Sequence, residues 1–156
     1  MNKKEEVINA ARDLFTKYGY KKVSMDEIAK EANVTKKTIY SYFSDKEAMF
    51  KYFASEELQS MKEKIENDVN SSTSFIDRVS KILYESLLFR KNSDLIKTII
   101  KEISKNNTAE CISFLKFYDG EIVSYIEEKI KQEIQNKTIK KCDAHLTAFI
   151  IYKVYS

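Results

Sequence analysis

Residues 23–50 read VSMDEIAKEANVTKKTIYSYFSDKEAMF, a pattern that predicts two short helices about one tight turn, with a longer helix following. Ser24 and Glu27 have capping-box spacing, in which hydroxyl and carboxylate reciprocally satisfy the backbone donors that open a helix. Ile28, Ala29 and Ala32 supply the buried face of that helix. Asn33 accepts left-handed backbone angles nearly as readily as glycine, and so suits the turn. Val34 is then an inward anchor, and Thr35 caps a short helix through Tyr42. Ser44 and Glu47 repeat the capping-box spacing and predict the start of the next helix. That helix carries Met49, Phe50, Phe53, Leu58, Met61 and Ile65 on one side and runs to about Asp68.

Outward from this core the periodicity stays helical. Val7, Ala11, Leu14, Phe15 and Tyr18 form one apolar stripe over residues 3–18, and Gly19 stops it. The serine-rich segment NSSTS at 70–74 predicts a break. Beyond it, helices are expected near 74–90, 93–104, 108–136 and 142–156, capped by Thr73 or Ser74, by Ser93 or Asp94, and by Thr108. The apolar pattern LTAFIIYKVY runs to the last residues without a polar stop, which predicts further helix beyond Ser156.

Composition agrees. The 156 residues include two glycines and no proline, whereas an all-β chain of this length needs many special-angle turns. The fold class is therefore all-α. Residues 1–52 hold eleven Lys+Arg against eight Asp+Glu, and residues 53–156 hold sixteen of each. All of the net charge of +3 thus sits in the N-terminal third, a distribution that favours phosphate contacts. Cys111 and Cys142 stand far apart and read as reduced thiols rather than a disulfide or metal framework. No apolar run approaches a bilayer's thickness and none follows Lys3 and Lys4 as a signal sequence would require, so a cytoplasmic location is expected.

Two short helices about a tight turn, the second opening with basic and hydroxyl side chains, is the geometry by which a helix-turn-helix enters the major groove. At about 100° per residue, Lys36, Lys37 and Tyr40 share one face while Ile39 turns inward. The free amides near Thr35 and Lys36 suit a phosphate, and Lys46 offers a second such site. Gly19, Ser24, Ile28–Ala29, Ala32, Val34, Thr35, Tyr40, Tyr42–Phe43 and Lys46 stand in register with the DNA-binding head of the TetR family, which residues 5–52 resemble. The sequence departs from that pattern at Asn33, where glycine is usual, and at Lys37, where a small residue is common.

The resemblance implies a three-helix DNA-binding head, residues 1–48, and a helical ligand-binding and dimerisation body, residues 49–156. It implies base-edge contacts from Lys36, Lys37 and Tyr40, and phosphate contacts from Thr35, Thr38, Tyr42 and Lys46. It further implies a homodimer on a palindromic operator, repression of transcription, and release by a mostly apolar or aromatic small molecule. Tyr84, Leu88, Ile99, Phe114, Phe117 and Tyr118 are the candidate lining of its pocket, although aromatic side chains at such spacing equally make ordinary core. Ile150, Ile151 and Val154 are candidates either for the dimer surface or for intramolecular core.

Catalysis has no support: no paired carboxylates on an apolar background, no glycine-rich phosphate loop and no nucleophile elbow occur. The single histidine, His145, has Asp143 and Cys142 nearby but no second ligand cluster, so neither metal nor cofactor is expected. Two other readings remain open at the level of sequence, a regulator of this fold that answers to no small molecule and a helical protein–protein adaptor that has lost DNA binding.

Overall fold

The computed structural model describes residues 2–68 and 74–155. Eight helices follow in order among them: α1 Lys3–Tyr18, α2 Met25–Glu31, α3 Lys36–Tyr40, α4 Lys46–Asp68, α5 Phe75–Asn92, α6 Asp94–Asn106, α7 Ala109–Gln135 and α8 Ala144–Tyr155. The expected break at 70–74 lies, apart from Ser74, outside the described residues, as does the candidate cap Thr73.

The caps explain most boundaries. Ser24 accepts from the Glu27 amide while Glu27 returns a bond to the Ser24 amide, the reciprocal box that the spacing predicts. Thr35 caps α3 through the Thr38 amide. Ser74, Ser93 and Asp143 accept from the amides three residues on and open α5, α6 and α8. One cap differs from expectation. Asp45, not Ser44, receives the Ala48 amide at 2.7 Å and opens α4, while Ser44 only donates to the Asp45 carboxylate. A carboxylate one residue closer to the helix outcompetes the hydroxyl, because its full charge also meets the positive end of the helix dipole.

The chain forms two compact units. The first contains residues 1–57 and 93–115, so α6 and the start of α7 fold together with the N-terminal helices. Helix α1 packs against both α2 and α6, and α2 packs against α3. The centre of this unit is aromatic. Phe50 meets Phe15 at 5.5 Å, Tyr20 at 4.8 Å and Phe114 at 4.8 Å between ring centres, and all four rings are buried. Val7, Ala11, Ile28 and Ile39 are fully enclosed around them, as the helical periodicity predicts. The α1 stripe is one residue shorter than expected. Tyr18 is 49% exposed because the chain leaves the helix at Gly19 and carries Tyr20, rather than Tyr18, into the core.

The second unit contains residues 58–92 and 116–156. Leu58, Met61 and Ile65 are buried in it, as are Val79, Ile82 and Leu83 of α5 and Ile122, Ile126 and Ile130 of α7. Several of its polar side chains are paired: Arg90 with Asp119 at 2.6 Å, the Tyr152 hydroxyl with the same carboxylate at 2.8 Å, and Arg78 with Glu133. Among the described residues no helix is long and apolar enough to cross a membrane.

Candidate DNA-binding interface

Helix α3 is only five residues long, and its orientation is set by what surrounds it. Ile39 anchors it inward with no exposure, and the Tyr42 and Phe43 amides both return to the Ile39 carbonyl. Asn33 supplies the left-handed turn before it, with φ of 50°, as its side chain allows. On the outer surface Tyr40 is 48% and Tyr42 38% exposed, and Lys37 is free in solvent. The Thr35 and Thr38 hydroxyls lie 2.9 Å apart at the helix start. A polar hollow there is lined by Thr35, Thr38, Asn33, Val34 and Lys3. Lys3 comes from the first turn of α1. Sequence spacing gives no signal for it, since only the packing of α1 brings a residue thirty-two positions away beside Thr35.

Of the sequence-derived contact set, Lys36, Lys37, Tyr40 and Tyr42 are exposed on or just after α3 and Thr35 and Thr38 share the hollow at its start, while two lysines are engaged within the chain. Lys36 is paired with Asp26 of α2 at 2.8 Å, an exposed bond that holds its pKa up and that a base or phosphate must replace. Such an exposed pair is worth little, so exchange for a phosphate is cheap. Lys46 is more constrained. Its ammonium donates to the Tyr20 and Val23 carbonyls at 2.9 Å each and sits 4.2 Å over the Tyr20 ring. Burial there pushes its pKa down, opposed by the charges of Glu110 and Glu102. Lys46 thus braces the turn before α2, a role the sequence reading did not contain.

That turn is held from its other side as well. Glu102 of α6 is 7% exposed and accepts from the Tyr20 amide at 2.6 Å and the Lys21 amide at 2.7 Å. Thr98, one helical turn earlier, donates to the Thr16 carbonyl at 2.8 Å. Gly19 fits between them for two reasons. Its φ of 86° and ψ of 161° lie in a region essentially closed to side-chain-bearing residues, beyond the ordinary left-handed well expected of it. A Cβ at Gly19 would also stand 2.6 Å from the Glu102 carboxylate. The polar backbone leading into α2 is thus gripped by a carboxylate on one side and an ammonium on the other.

The expected pocket residues are divided between the two compact units. Ile99 and Phe114 are core of the first unit. In the second unit, Tyr118 is buried and stacked on Phe89 at 6.0 Å, with its hydroxyl 3.5 Å from the Ser86 carbonyl, and Leu88 is half-buried. Tyr84 and Phe117 are 60% and 41% exposed, so neither lines an enclosed space within its unit. On α7, Phe114 and Tyr118 are buried, whereas Phe117 between them in sequence is largely outside. Among the described residues no group of histidine, cysteine and carboxylate side chains is arranged to hold a metal. The Cys111 thiol is buried and pushed up to about 12, which leaves it unreactive. His145 contacts Glu127 at 2.8 Å on the surface.

Known proteins share this arrangement. The family described as bacterial regulatory proteins, tetR family, matches residues 7–53. The HTH-type transcriptional regulator YhgD of Bacillus subtilis is 36% identical over 155 residues, covering 99% of this chain and 81% of that protein. The fold extends over the whole chain in two solved structures. One is the transcriptional regulator FadR of Bacillus subtilis in complex with stearoyl-CoA, at 19% identity and a TM-score of 0.71, covering 97% of this chain and 82% of that one. The other is AibR in complex with isovaleryl coenzyme A and operator DNA, at 21% identity and a TM-score of 0.59, covering 99% and 84%.

Replacing Glu102 with alanine leaves two backbone amides without their charged acceptor in a largely buried place. The expected loss is about 2–4 kcal/mol of unfolding free energy, because hydrogen bonds to charged groups carry more than neutral ones. Urea unfolding of the variant checks this, with Glu102→Gln expected in between because its amide keeps one acceptor oxygen. A loss no larger than that of an exposed-site substitution would remove Glu102 from the account.

Proposed function

The chain belongs to the TetR family of bacterial transcriptional regulators, and from that premise we propose that it is a homodimeric repressor of a palindromic operator, released by a small-molecule effector. The observation that carries this reading is the display of Thr35, Lys36, Lys37, Thr38 and Tyr40 along one short helix whose inner side is fully committed to core. Two such helices related by a two-fold axis would reach successive major grooves about 34–36 Å apart. Lys36 and Lys37 suit guanine O6 and N7, and Tyr40 adds an amphipathic ring at the same edge. Thr35, Thr38, Tyr42 and Lys3 would position phosphates. Lys46 contributes its positive field from the turn it braces and need not touch DNA.

The dimer surface is proposed on α8. Leu146, Phe149, Ile150 and Val154 form an exposed apolar stripe, with Ile150 53% and Val154 75% exposed, whereas Ala144, Ala148 and Tyr152 bury the opposite face. Ile151 is half-buried beside them. A stripe of this size in water favours a partner, and an isologous pairing with a second copy matches the operator's symmetry. Effector binding would act by population shift, with the ligand favouring a conformer that reads DNA poorly. An effector with an apolar acyl or aromatic part is in keeping with the ligands of FadR and AibR. Leu88, Phe89 and Tyr118 of the second unit are the side chains we propose for it. The DNA-reading and effector functions would then divide at about residue 48, within a chain whose compact units divide differently.

Selection of bound duplexes from random DNA with the full chain tests the central part. An enriched palindrome is expected, bound roughly tenfold or more weakly by Lys36→Ala and by Tyr40→Ala, since each base contact is worth about 1–3 kcal/mol. No enrichment, with no salt-sensitive binding, would contradict sequence-specific regulation. For the dimer, light scattering is expected to show two copies for the native chain and one for the Ile150→Asp, Val154→Asp variant. A variant that stays dimeric places the interface elsewhere.

A further inference from the structure

The first unit contains another concave surface, lined by none of the residues proposed to contact DNA. A groove of about 550 Å³ lies between the end of α1, the turn at Gly19–Lys22 and the last turns of α6. Five lysines line it: Lys17, Lys21, Lys22, Lys101 and Lys105. Its only carboxylate is Glu102, whose two oxygens are already spent on the Tyr20 and Lys21 amides. Lys17 lies 5.0 Å over the Tyr18 ring. Among the described residues the ammonium groups of Lys21, Lys22, Lys101 and Lys105 have neither ion pair nor hydrogen-bonding partner.

Ordinary local causes do not account for so much charge. Lysines in the last turn of a helix complement its dipole, and both α1 and α6 end at this groove. Each helix end supplies only about half a negative charge, so with Glu102 included roughly three positive charges stay uncompensated. Elsewhere the lysines are of two kinds, some exposed singly, as Lys37 is, and some paired. Lys36, Lys51, Lys62, Lys97, Lys129 and Lys131 each hold a carboxylate within 3.0 Å. Lysines left unpaired around a concavity, on two elements eighty residues apart, lower their mutual repulsion by sharing an anion. The volume is that of a small-molecule site rather than of a flat contact.

We propose that this groove binds a small polyphosphorylated anion, which joins Lys21 and Lys22 of the turn to Lys101 and Lys105 of α6. Compact ammonium groups are suited to phosphate oxygens, and three to four negative charges match the uncompensated positive charge. The ligand spans the same two elements that Glu102 ties together, so it stabilises that junction from outside. This site uses none of the residues proposed for operator recognition and does not require the effector reading above. Several phosphates are carried by nucleoside triphosphates, as a triphosphate chain, and by coenzyme A, as a diphosphate and a separate 3′-phosphate, and the two sources are separated by experiment.

Titration calorimetry of the full chain with sodium tripolyphosphate, ATP and coenzyme A, each at matched ionic strength, tests the site. We expect saturable binding of at least one of them at one per chain, accompanied by a rise in unfolding temperature. Lys101→Ala with Lys105→Ala is expected to weaken it by about tenfold or more, whereas Lys140→Ala with Lys141→Ala, an exposed lysine pair in the second unit, leaves it unchanged. Tighter binding of ATP or of coenzyme A than of tripolyphosphate identifies the source. Absence of saturable binding by all three, or equal weakening by both double variants, overturns the proposal. So does a Lys101→Ala, Lys105→Ala variant that binds the anions normally but holds DNA less tightly with a shallower salt dependence, because the groove is then a contact for the DNA backbone.

Discussion

The peptide of Tyr20 is held by two side chains of opposite sign, its N–H by the Glu102 carboxylate and its C=O by the Lys46 ammonium. The path of the chain from α1 into α2, against which α3 packs, depends on that turn. The chain between α1 and α2 has no regular hydrogen-bonding partners of its own, and a buried backbone left unpaired costs as much as a lost hydrogen bond. Glu102 comes from α6 and Lys46 from the first residue of α4, so the entry to α2 is fixed only when those helices are in place. The aromatic cluster of Phe15, Tyr20, Phe50 and Phe114 draws on the same elements. Its burial supplies non-directional stability, and the two charges supply direction.

The head is for this reason not a self-sufficient module. The residues proposed for recognition lie within the first fifty positions, yet the compact unit that carries them includes α6 and the beginning of α7. In this arrangement a helix far along the chain shares a compact unit with α3. The cost is that two ionisable side chains are desolvated for a structural purpose, and each is tolerable only because it meets two backbone partners.

Much of this was legible in the sequence because it is local. Capping at Ser24, Thr35 and Ser93, the left-handed Asn33 and the apolar faces of α2 and α4 depend on residues within one or two turns of each other, and periodicity reports them directly. The Asp45 cap was missed because two residues competed for one amide and charge decided between them. The fate of Lys46, the grip of Glu102 and the approach of Lys3 to Thr35 were not legible at all. Each joins positions tens of residues apart, and a lysine or glutamate on an amphipathic helix looks like solvated surface until its neighbour is known. The same limit explains the pocket residues: spacing states which side of α7 a ring occupies, not which sides the other helices cover.

The claim that the turn is fixed by Glu102 is tested most directly by amide hydrogen exchange at Tyr20 and Lys21 in the native chain and in Glu102→Gln. The account predicts protection at both amides comparable to that of Ala11 in the buried face of α1, falling in the variant while Ala11 keeps its own. Exchange at unprotected rates in the native chain, or protection indifferent to the substitution, would mean that the turn is held by packing alone.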